Sequence, residues 1–452
     1  MRITESKSVI SRRRALKFGT AAAAATIPWV HVRTAGAAGA LSVMFWDHWV
    51  PAGNVEMKRQ VALFADKTKT DVKADFITSN GNQGLLTVNA EAQAKTGHDI
   101  IDISNWTVQD VGHLLEPVDD IVGRLEAKNG KANEVANYLG KHKGKWAAVP
   151  KSWGTQNKGP SARISLMKEL CGIDVKAMYP AANVPETDLA KAWTMEAFLK
   201  AAEAAHKGGK GFALGLGTTS DSVDFVGSIF ASFGAELVDA QGKIQIKSDA
   251  MRQALEYSQK LVQFMPADAQ SFDDASNNRA LISGNSALIY NPPSAWAVAV
   301  RDNPAIGGDC WHFPSPRGPK GRFIPNITFF WGIWQFAKNK QAAKEFIEFM
   351  MEPEMVDARS ASVMGYDLPP YEKMSNSSVW DKIGPPEGSV YNYPVRPQHN
   401  SKTSIAHMPA PPEIAVQIYN RGTLPTMLAK MKAGESINQV IAWGTKELEG
   451  FL

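Results

Sequence analysis

Short apolar runs alternate with amphipathic stretches along most of the chain. Runs of this length, bounded by turn residues, predict strands at Leu41–Trp46, Val72–Thr78, Asp99–Ser104, Trp146–Pro150, Phe212–Leu216, Ala287–Asn291 and Ile327–Ala337. Between the first two, Val55–Lys67 repeats apolar residues at helical spacing through Val61, Leu63 and Phe64. Thr194 is placed to cap a helix carrying Phe198, Leu199, Ala202 and Ala205, which Gly208-Gly209 would end. Ser248 is placed to cap another, with Met251, Ala254, Leu255, Ser258, Leu261 and Val262 on one face. Gln341–Met351 predicts a helix that buries Ala342, Phe346, Phe349 and Met350. Gly434-Glu435-Ser436 leads into a last helix using Ile437, Val440, Ile441 and Leu448. Strand–helix alternation of this kind predicts an α/β architecture with mostly parallel sheets.

Residues 384–412 break the pattern, with seven prolines in 29 residues (Pro385, Pro386, Pro394, Pro397, Pro409, Pro411, Pro412). That density suits neither a helix nor a central strand. Tyr391, Tyr393 and Met408 are interleaved with the prolines, so the stretch reads as an ordered, irregular segment wrapping a surface.

At 452 residues the chain has room for two or three domains with substantial cores. With 44% hydrophobic and 21% charged residues, its composition argues against disorder, collagen or a coiled-coil rod. The net charge of +4 is unevenly placed. Residues 1–40 hold seven Lys/Arg and one acid, leaving a body of 42 basic and 44 acidic side chains, a net of −2. A near-neutral body gives no electrostatic reason to expect a nucleic-acid partner.

The basic residues open an address. Ser11-Arg12-Arg13-Arg14-Ala15-Leu16-Lys17 precedes an Ala-rich apolar run, Phe18 to Val30, and small residues follow from Ala35 to Ala40. This is the three-part layout of an export signal, and the paired Arg12-Arg13 resembles a twin-arginine leader, with Ala15 where an aromatic is usual. The run is too short to span a bilayer and is interrupted by Pro28. Cleavage after Ala37 or Ala40 fits. The mature chain is expected in the periplasm, soluble and monomeric. Cys171 and Cys310 are the only cysteines; the sequence leaves open whether they pair or are separate buried thiols.

The search for catalytic constellations is negative. There is no His-Glu-x-x-His, Cys-x-x-Cys, phosphate loop or Gly-x-Ser-x-Gly, and the nine His are scattered. Gly284-Asn285-Ser286-Ala287 lacks the second Gly of a nucleophile elbow, and Gly215-Leu216-Gly217 lacks the third of a dinucleotide fingerprint. No cofactor and no metal are expected. What stands out is aromatic residues beside polar ones at strand ends: Trp46-Asp47-His48-Trp49, Asn105-Trp106, Trp153, Tyr290-Asn291 with Trp296, and Phe329-Phe330-Trp331. Ligands of open α/β sheets bind beyond the carboxyl ends of strands. A flat aromatic face beside Asp, Asn and Gln matches a pyranose, whose C–H face lies on the ring while its hydroxyls bond the side chains. Asp47, Asp102 and Asp224 are equally compatible with helix caps or solvated loop acids.

These pieces, in this order, resemble the extracellular solute-binding proteins of ABC importers, of the large maltose-binding-protein-like family. His98-Asp99-Ile100-Ile101-Asp102 is similar to its "Pro-Asp-Val" strand, with His98 in place of Pro. Leu115-Glu116-Pro117-Val118-Asp119-Asp120 resembles its "Leu-x-Pro-Leu-Asp" turn, and Gly144-Lys145-Trp146-Ala147-Ala148-Val149-Pro150 its "Gly-Lys-x-Tyr-x-x-Pro" crossover. Ser283 to Trp296 resembles "Gly-x-x-Ala-Met…Trp". Trp331-Gly332 followed by Asn339 to Phe346 resembles "Trp-Gly…Asn-Lys-x-x-Ala-x-x-Phe". Gly365 to Pro369 and Gly434 to Ile437 look like the last two marks.

The resemblance implies a two-lobed periplasmic-binding-protein fold of the type II kind, with three crossovers as hinge and a ligand cleft between the lobes. Lobe one would be residues 41–150 plus 323–368, and lobe two 151–322 plus 369–452. Ligand contacts would fall at Trp46, Asp47, Trp49, Asn80, Gln83, Asn105, Trp106, Trp153, Asp224, Tyr290, Asn291, Trp296 and Trp331. The implied function is capture of a sugar, oligosaccharide or polyol by lobe closure, and its delivery to the membrane subunits of an importer. Three other readings stay open. Trp46, Trp49 and Trp106 with Asp47 and Asp102 would make an amine box, while Lys151, Lys158 and Arg163 keep anions in view. An exported glycan-acting enzyme would pair Asp47 with Asp224.

Overall fold

The computed structural model describes residues 39–79, 82–180, 185–273, 275–376 and 401–450. Nearly all of the expected leader, Asn80, and the Pro-rich stretch up to residue 400 lie outside them.

The first half begins as expected. Strand β1 (Ala40–Trp46) leads into helix α1 (Pro51–Thr68), β2 (Asp71–Ile77), α2 (Gln83–Ala94) and β3 (Ile100–Ser104). Pro51 starts α1, where a missing N–H costs nothing. Helix α1 buries Met57, Val61 and Phe64, while Leu63, expected inside, is 39% exposed. After β3 come α3 (Thr107–Val111), α4 (Glu134–Leu139), the two-residue strands β4 (Lys141–His142) and β5 (Lys145–Trp146), then β6 (Val149–Asn157) and β7 (Gly159–Arg163). The expected strand at 146–150 is thus divided between β5 and a longer β6.

The second half is mainly helical: α5 (Met195–Lys207), α6 (Ser220–Phe233), α7 (Asp249–Leu261) and α8 (Ser276–Ile282) precede β8 (Leu288–Asn291), α9 (Ser294–Asp302) and β9 (Cys310–His312). Thr194, Thr219 and Ser248 cap α5, α6 and α7 with their side chains, each accepting a backbone N–H of the first turn. Strand β10 (Arg322–Ile333) then returns, followed by α10 (Lys340–Met350), α11 (Pro353–Ser362), β11 (Ser401–Ser404), α12 (Pro412–Asn420) and α13 (Ile437–Glu449). Ser436 and Gln439 close a full capping box on α13.

Two sheets form. The larger runs β11-β10-β3-β1-β2, with β6 also on β10; the smaller runs β8-β7-β9. The expectation of mostly parallel sheets is corrected. β1 pairs β2 and β3 in parallel, but β10 is antiparallel to both β3 and β6, and the smaller sheet is antiparallel throughout. The reason is connectivity: β6 leaves the first sheet for the second, and β10 comes back into the first against it. Phe212–Leu216 is no strand either. It spends its bonds singly, Ala213 N–H to Leu288 O and Leu216 N–H to Ala269 O, without a continuous ladder.

The first sheet holds β6 as far as Asn157, which faces Asn326 on β10. One core packs β1, β3, β6 and β10 against α1 and α10 through Phe45, Phe64, Ile100, Val149, Ile333, Phe346 and Ile347. A larger core centres on α5, α6 and α7 and reaches across to Ile101, Trp106, Leu139 and Trp334. Gly227 lets residues 405–406 press onto α6, because a Cβ there would sit 2.6 Å from that of Ala406. The cysteines are free: Cys171 Sγ bonds Ala201 O and Cys310 Sγ bonds Ile306 O. Burial pushes their thiols up to about 11 and about 12 respectively. Among the described residues no helix is long and apolar enough to cross a membrane.

Candidate functional site

Where the chain passes from the first sheet to the second, side-chain amides lace β3, β10 and β6 together. Asn105 follows β3 in the left-handed region (φ 44°), which Asn tolerates better than most residues. Its N–H bonds Thr328 O at 2.8 Å and its Oδ1 accepts from Thr328 N–H at 3.0 Å. Thr328 Oγ1 donates to Asn326 Oδ1, and Asn326 Nδ2 donates to Asn157 Oδ1 at 2.9 Å and Gln156 O at 3.2 Å. Lys158 N–H closes onto Pro325 O at 2.7 Å. The sharp turn at Asn105 delivers Trp106 to the start of α3.

Lys158 points the other way, into the N-terminal turn of α6. Its Nζ lies 2.8 Å from Asp221 Oδ1, 2.9 Å from Asp224 Oδ2 and 3.2 Å from Ser220 Oγ. Burial works against this ammonium, but the two carboxylates outweigh it and hold Lys158 above its usual range. Burial pushes Asp224 up, opposed by Lys158 and by the nearby hydroxyl of Tyr419. Asp221 Oδ2 also accepts from Asn277 Nδ2, which in turn reaches Tyr290 O.

Aromatic rings cover this polar seam. Trp106 meets Tyr138 of α4 edge-on at 5.5 Å and Tyr419 of α12 at 5.7 Å, and His407 sits edge-on to Tyr419 at 6.3 Å. Tyr138 Oη donates to Ala410 O at 2.6 Å, and Asn420 Nδ2 to Asp110 Oδ2 at 3.4 Å. Residues 405–420 therefore touch α3 and α4 on one side and α6 on the other. Trp106 Nε1, Gln156 Oε1 and His407 Nε2 are buried here without a hydrogen-bond partner, while the Tyr419 hydroxyl bonds Asp224. Leaving such a group unpaired costs about 1–3 kcal/mol each. Trp106 Nε1 is a donor and Gln156 Oε1 an acceptor, groups that can bond hydroxyls.

Of the expected contacts, Asn105, Trp106 and Asp224 meet here. Tyr290 is buried against Phe225 and Phe198 with ring centroids 4.8 and 6.0 Å away. Asn291 donates to Ser294 Oγ at 2.9 Å and to Asn278 Oδ1. A cavity of about 10 Å³, the space of one water, lies among Thr219, Asp221, Asn277 and Tyr290. Trp296 is buried edge-on to His312 in a small separate core. Missed at the sequence level were Gln156, Tyr138, His407 and Tyr419. Tyr419 carries the clearest signal in hindsight, an aromatic near the end of an amphipathic helix beside Gly422.

Three of the expected tryptophans, Trp46, Trp153 and Trp331, lie in the first core, with Trp153 and Trp331 wholly buried. Trp46 N–H bonds Asp102, and Trp46 O accepts from Trp153 Nε1. Trp331 packs on Phe346 under Lys151 and Arg359. Placement near a strand end does not say which face of the sheet a ring takes, and these take the face that α1, α10 and α11 cover. Asp47 is exposed and accepts from Asn54, Trp49 is half-buried, and Gln83 is exposed at the start of α2. Asn80 lies outside the described residues.

The amine box does not assemble either, because Asp102 Oδ2 holds Lys151 Nζ at 2.5 Å. The Asp47–Asp224 pair is likewise not formed: each acid has its own partner elsewhere. The three cations considered for anions are all paired, since Arg163 holds Asp309 at 2.7 Å. Among the described residues no cluster of His, Cys, Asp and Glu has the grouping a metal needs. A cavity of about 630 Å³ opens between His206, Phe264, Ser276 and Arg279, but none of the expected contacts lines it.

Comparison with known proteins gives the context of this seam. The family model for bacterial extracellular solute-binding proteins matches residues 56–357. A Deinococcus radiodurans protein described as a probable ABC transporter-binding protein is 29% identical over 140 residues, which is 30% of this chain and 32% of that protein, so the match spans about a third of the relative's length. Among solved structures, maltose-bound T. maritima MalE3 superposes with a TM-score of 0.64 at 19% identity, covering 91% of this chain and 100% of that one. A sugar transporter from Arthrobacter chlorophenolicus A6 with bound laminaribiose reaches 0.69 at 15% identity, covering 92% and 100%. At these identities the two structures share the two-lobed α/β fold with this chain. With more than half of its length matched, the chain belongs to the bacterial extracellular solute-binding protein family.

Proposed function

We propose that this protein is the exported receptor of an ABC importer, and that it captures a sugar, oligosaccharide or polyol at the seam between its lobes. The observation that supports the reading is the packing of Trp106 against Tyr138 and Tyr419, beside the buried polar side chains Asn105, Lys158 and Asp224. Sugar hydroxyls would bond such polar groups while a pyranose C–H face lies on a ring. Asn105, Trp106 and Asp224 are the contacts we retain from the thirteen, joined by Gln156 and Tyr419; Asp47, Trp49 and Gln83 remain solvent-facing candidates for a longer ligand. Binding energy is spent on lobe closure. Ligand shifts the protein toward the closed form, which the membrane subunits read. No bond is made or broken. A twin-arginine leader delivers the protein to the periplasm, where it acts as a monomer.

The test is calorimetry on purified protein that has been unfolded and refolded to strip carried-over ligand, against sugars, polyols, polyamines and phosphate esters. Heat with sugars or polyols is expected. Trp106→Ala should weaken that binding by about 2 kcal/mol, near thirtyfold. Binding confined to amines or phosphate esters, or sugar binding untouched by Trp106→Ala, would overturn the reading.

A further inference from the structure

We infer that the helical second half of this protein holds a second site, apart from the seam, for an uncharged saccharide. It is the cavity of about 630 Å³ that opens beside α8. That volume lies within the range of small-molecule sites and has room for about one or two sugar rings. Three segments build it: the last turn of α5 with the glycines behind it, the turn after α7, and α8 with the loop that follows. Gly209 keeps part of the space open, since a Cβ there would meet nothing within 4 Å and its φ of +69° disfavours any side chain. Two rings border the cavity. Phe264 leans on the larger core and against His206, with centroids 5.9 Å apart, and Phe272 leans on the small core around Trp296. Both rings stay half-buried. Asp268, Ser271 and Asn285 stand around them, all exposed. Apolar rings beside a carboxylate, a hydroxyl and an amide suit a pyranose, whose C–H face lies on a ring while its hydroxyls both donate and accept.

The charges in the wall select against ions of either sign. Arg279 gives its Nη2 to Asp273 Oδ1 at 2.9 Å and to Ser276 Oγ at 3.0 Å. An anion would have to compete with Asp273 for that guanidinium and would meet Asp268 as a like charge, while an amine drawn to Asp268 would meet Arg279. A neutral polyol meets no like charge and bonds both. The site is also distinct from the seam. Ser276 and Arg279 of α8 line the cavity, but Asn277 bonds Asp221 Oδ2 at 3.0 Å and Tyr290 O at 3.3 Å, so that helix stands between the cavity and the Lys158 network. The inference therefore does not depend on what the seam binds.

The test is calorimetry with glucose and maltose carried to saturation, with glucuronate and glucosamine as charged counterparts of glucose. Ser271→Trp fills the cavity with an indole from an exposed position, and Asp268→Asn changes one exposed acceptor; melting curves check that both variants fold. A sugar-binding event is expected that weakens at least tenfold in Ser271→Trp and about threefold in Asp268→Asn, yet changes less than twofold in Trp106→Ala. Glucuronate and glucosamine should bind there at least tenfold more weakly than glucose. If the only event is lost in Trp106→Ala and kept in Ser271→Trp, or if this site prefers either charged sugar, the inference is overturned and the seam reading stands. If the only event is lost in Ser271→Trp and kept in Trp106→Ala, the inference stands and the seam reading falls. No binding of any sugar overturns both.

Discussion

Lys151 and Asp102 are both fully shielded from water and 2.5 Å apart, beneath the end of β1. Burial drives the Lys151 ammonium down to about 8 against the pull of Asp102. Such a pair adds little net stability, because desolvation offsets the attraction, but breaking it strands a charge. Lys151→Met should therefore lower unfolding free energy by about 3–5 kcal/mol. Adding Asp102→Asn should restore at least half of the loss, because no charge is then left alone. Urea unfolding of the wild type and both variants measures this, and equal midpoints for the single and double variants would refute it. The tryptophans teach a related lesson. Trp46, Trp106, Trp153 and Trp331 look alike in sequence, each near a strand end beside a polar residue, yet only Trp106 turns toward the seam. What separates them is the left-handed turn at Asn105, which no composition rule marks.

Helix α2 is held to the sheet by few buried side chains, Val88 and Glu91. Glu91 ends in a clamp: His98 Nδ1 lies 2.5 Å from Glu91 Oε1, His98 Nε2 lies 3.1 Å from Asp75 Oδ2, and Trp334 Nε1 donates to Glu91 Oε2 at 2.9 Å. Gly97 makes the close approach possible, since its φ of +152° disfavours a side chain and any Cβ would collide with the Glu91 carboxyl. Burial opposes a charge on His98, but Glu91 and Asp75 prevail and raise its pKa above the ordinary 6.5. A raised histidine contributes stability that is complete below pH 6.5 and fades as pH climbs through the folded value. The melting temperature of the wild type should exceed that of His98→Gln at pH 5.5, and the gap should narrow steadily toward pH 9. A gap independent of pH would show that the clamp works by packing alone. Other elements were readable directly. The helices begun at Thr194, Ser248 and Ser436 form as expected because a side-chain cap and an apolar stripe are both local signals. Phe212–Leu216 failed as a strand because an apolar run does not reveal whether a neighbour offers a continuous ladder.

On the scale of the molecule, residues 405–420 tie the lobes together, with Tyr138 Oη on Ala410 O as their shortest bond to α4. Tyr138→Phe removes that bond, worth about 0.5–1.5 kcal/mol, without touching the polar atoms of the seam. The ligand-free protein should then expand in small-angle scattering, while the ligand-bound form keeps its radius and affinity falls about two- to tenfold. An unchanged ligand-free radius would mean this bond does not hold the lobes. The order of the first strands and helices, the capped helix starts, the near-neutral body and the family likeness were legible in the sequence, because each depends on residues close together in the chain or on motif order. The pairing of β10 against β3 and β6, the burial of Trp46, Trp153 and Trp331, and the meeting of Trp106, Lys158, Asp224 and Tyr419 were decided only by the tertiary structure. Periodicity says that one face of an element is buried; which distant segment covers it depends on how the chain crosses between lobes, and no local pattern records that.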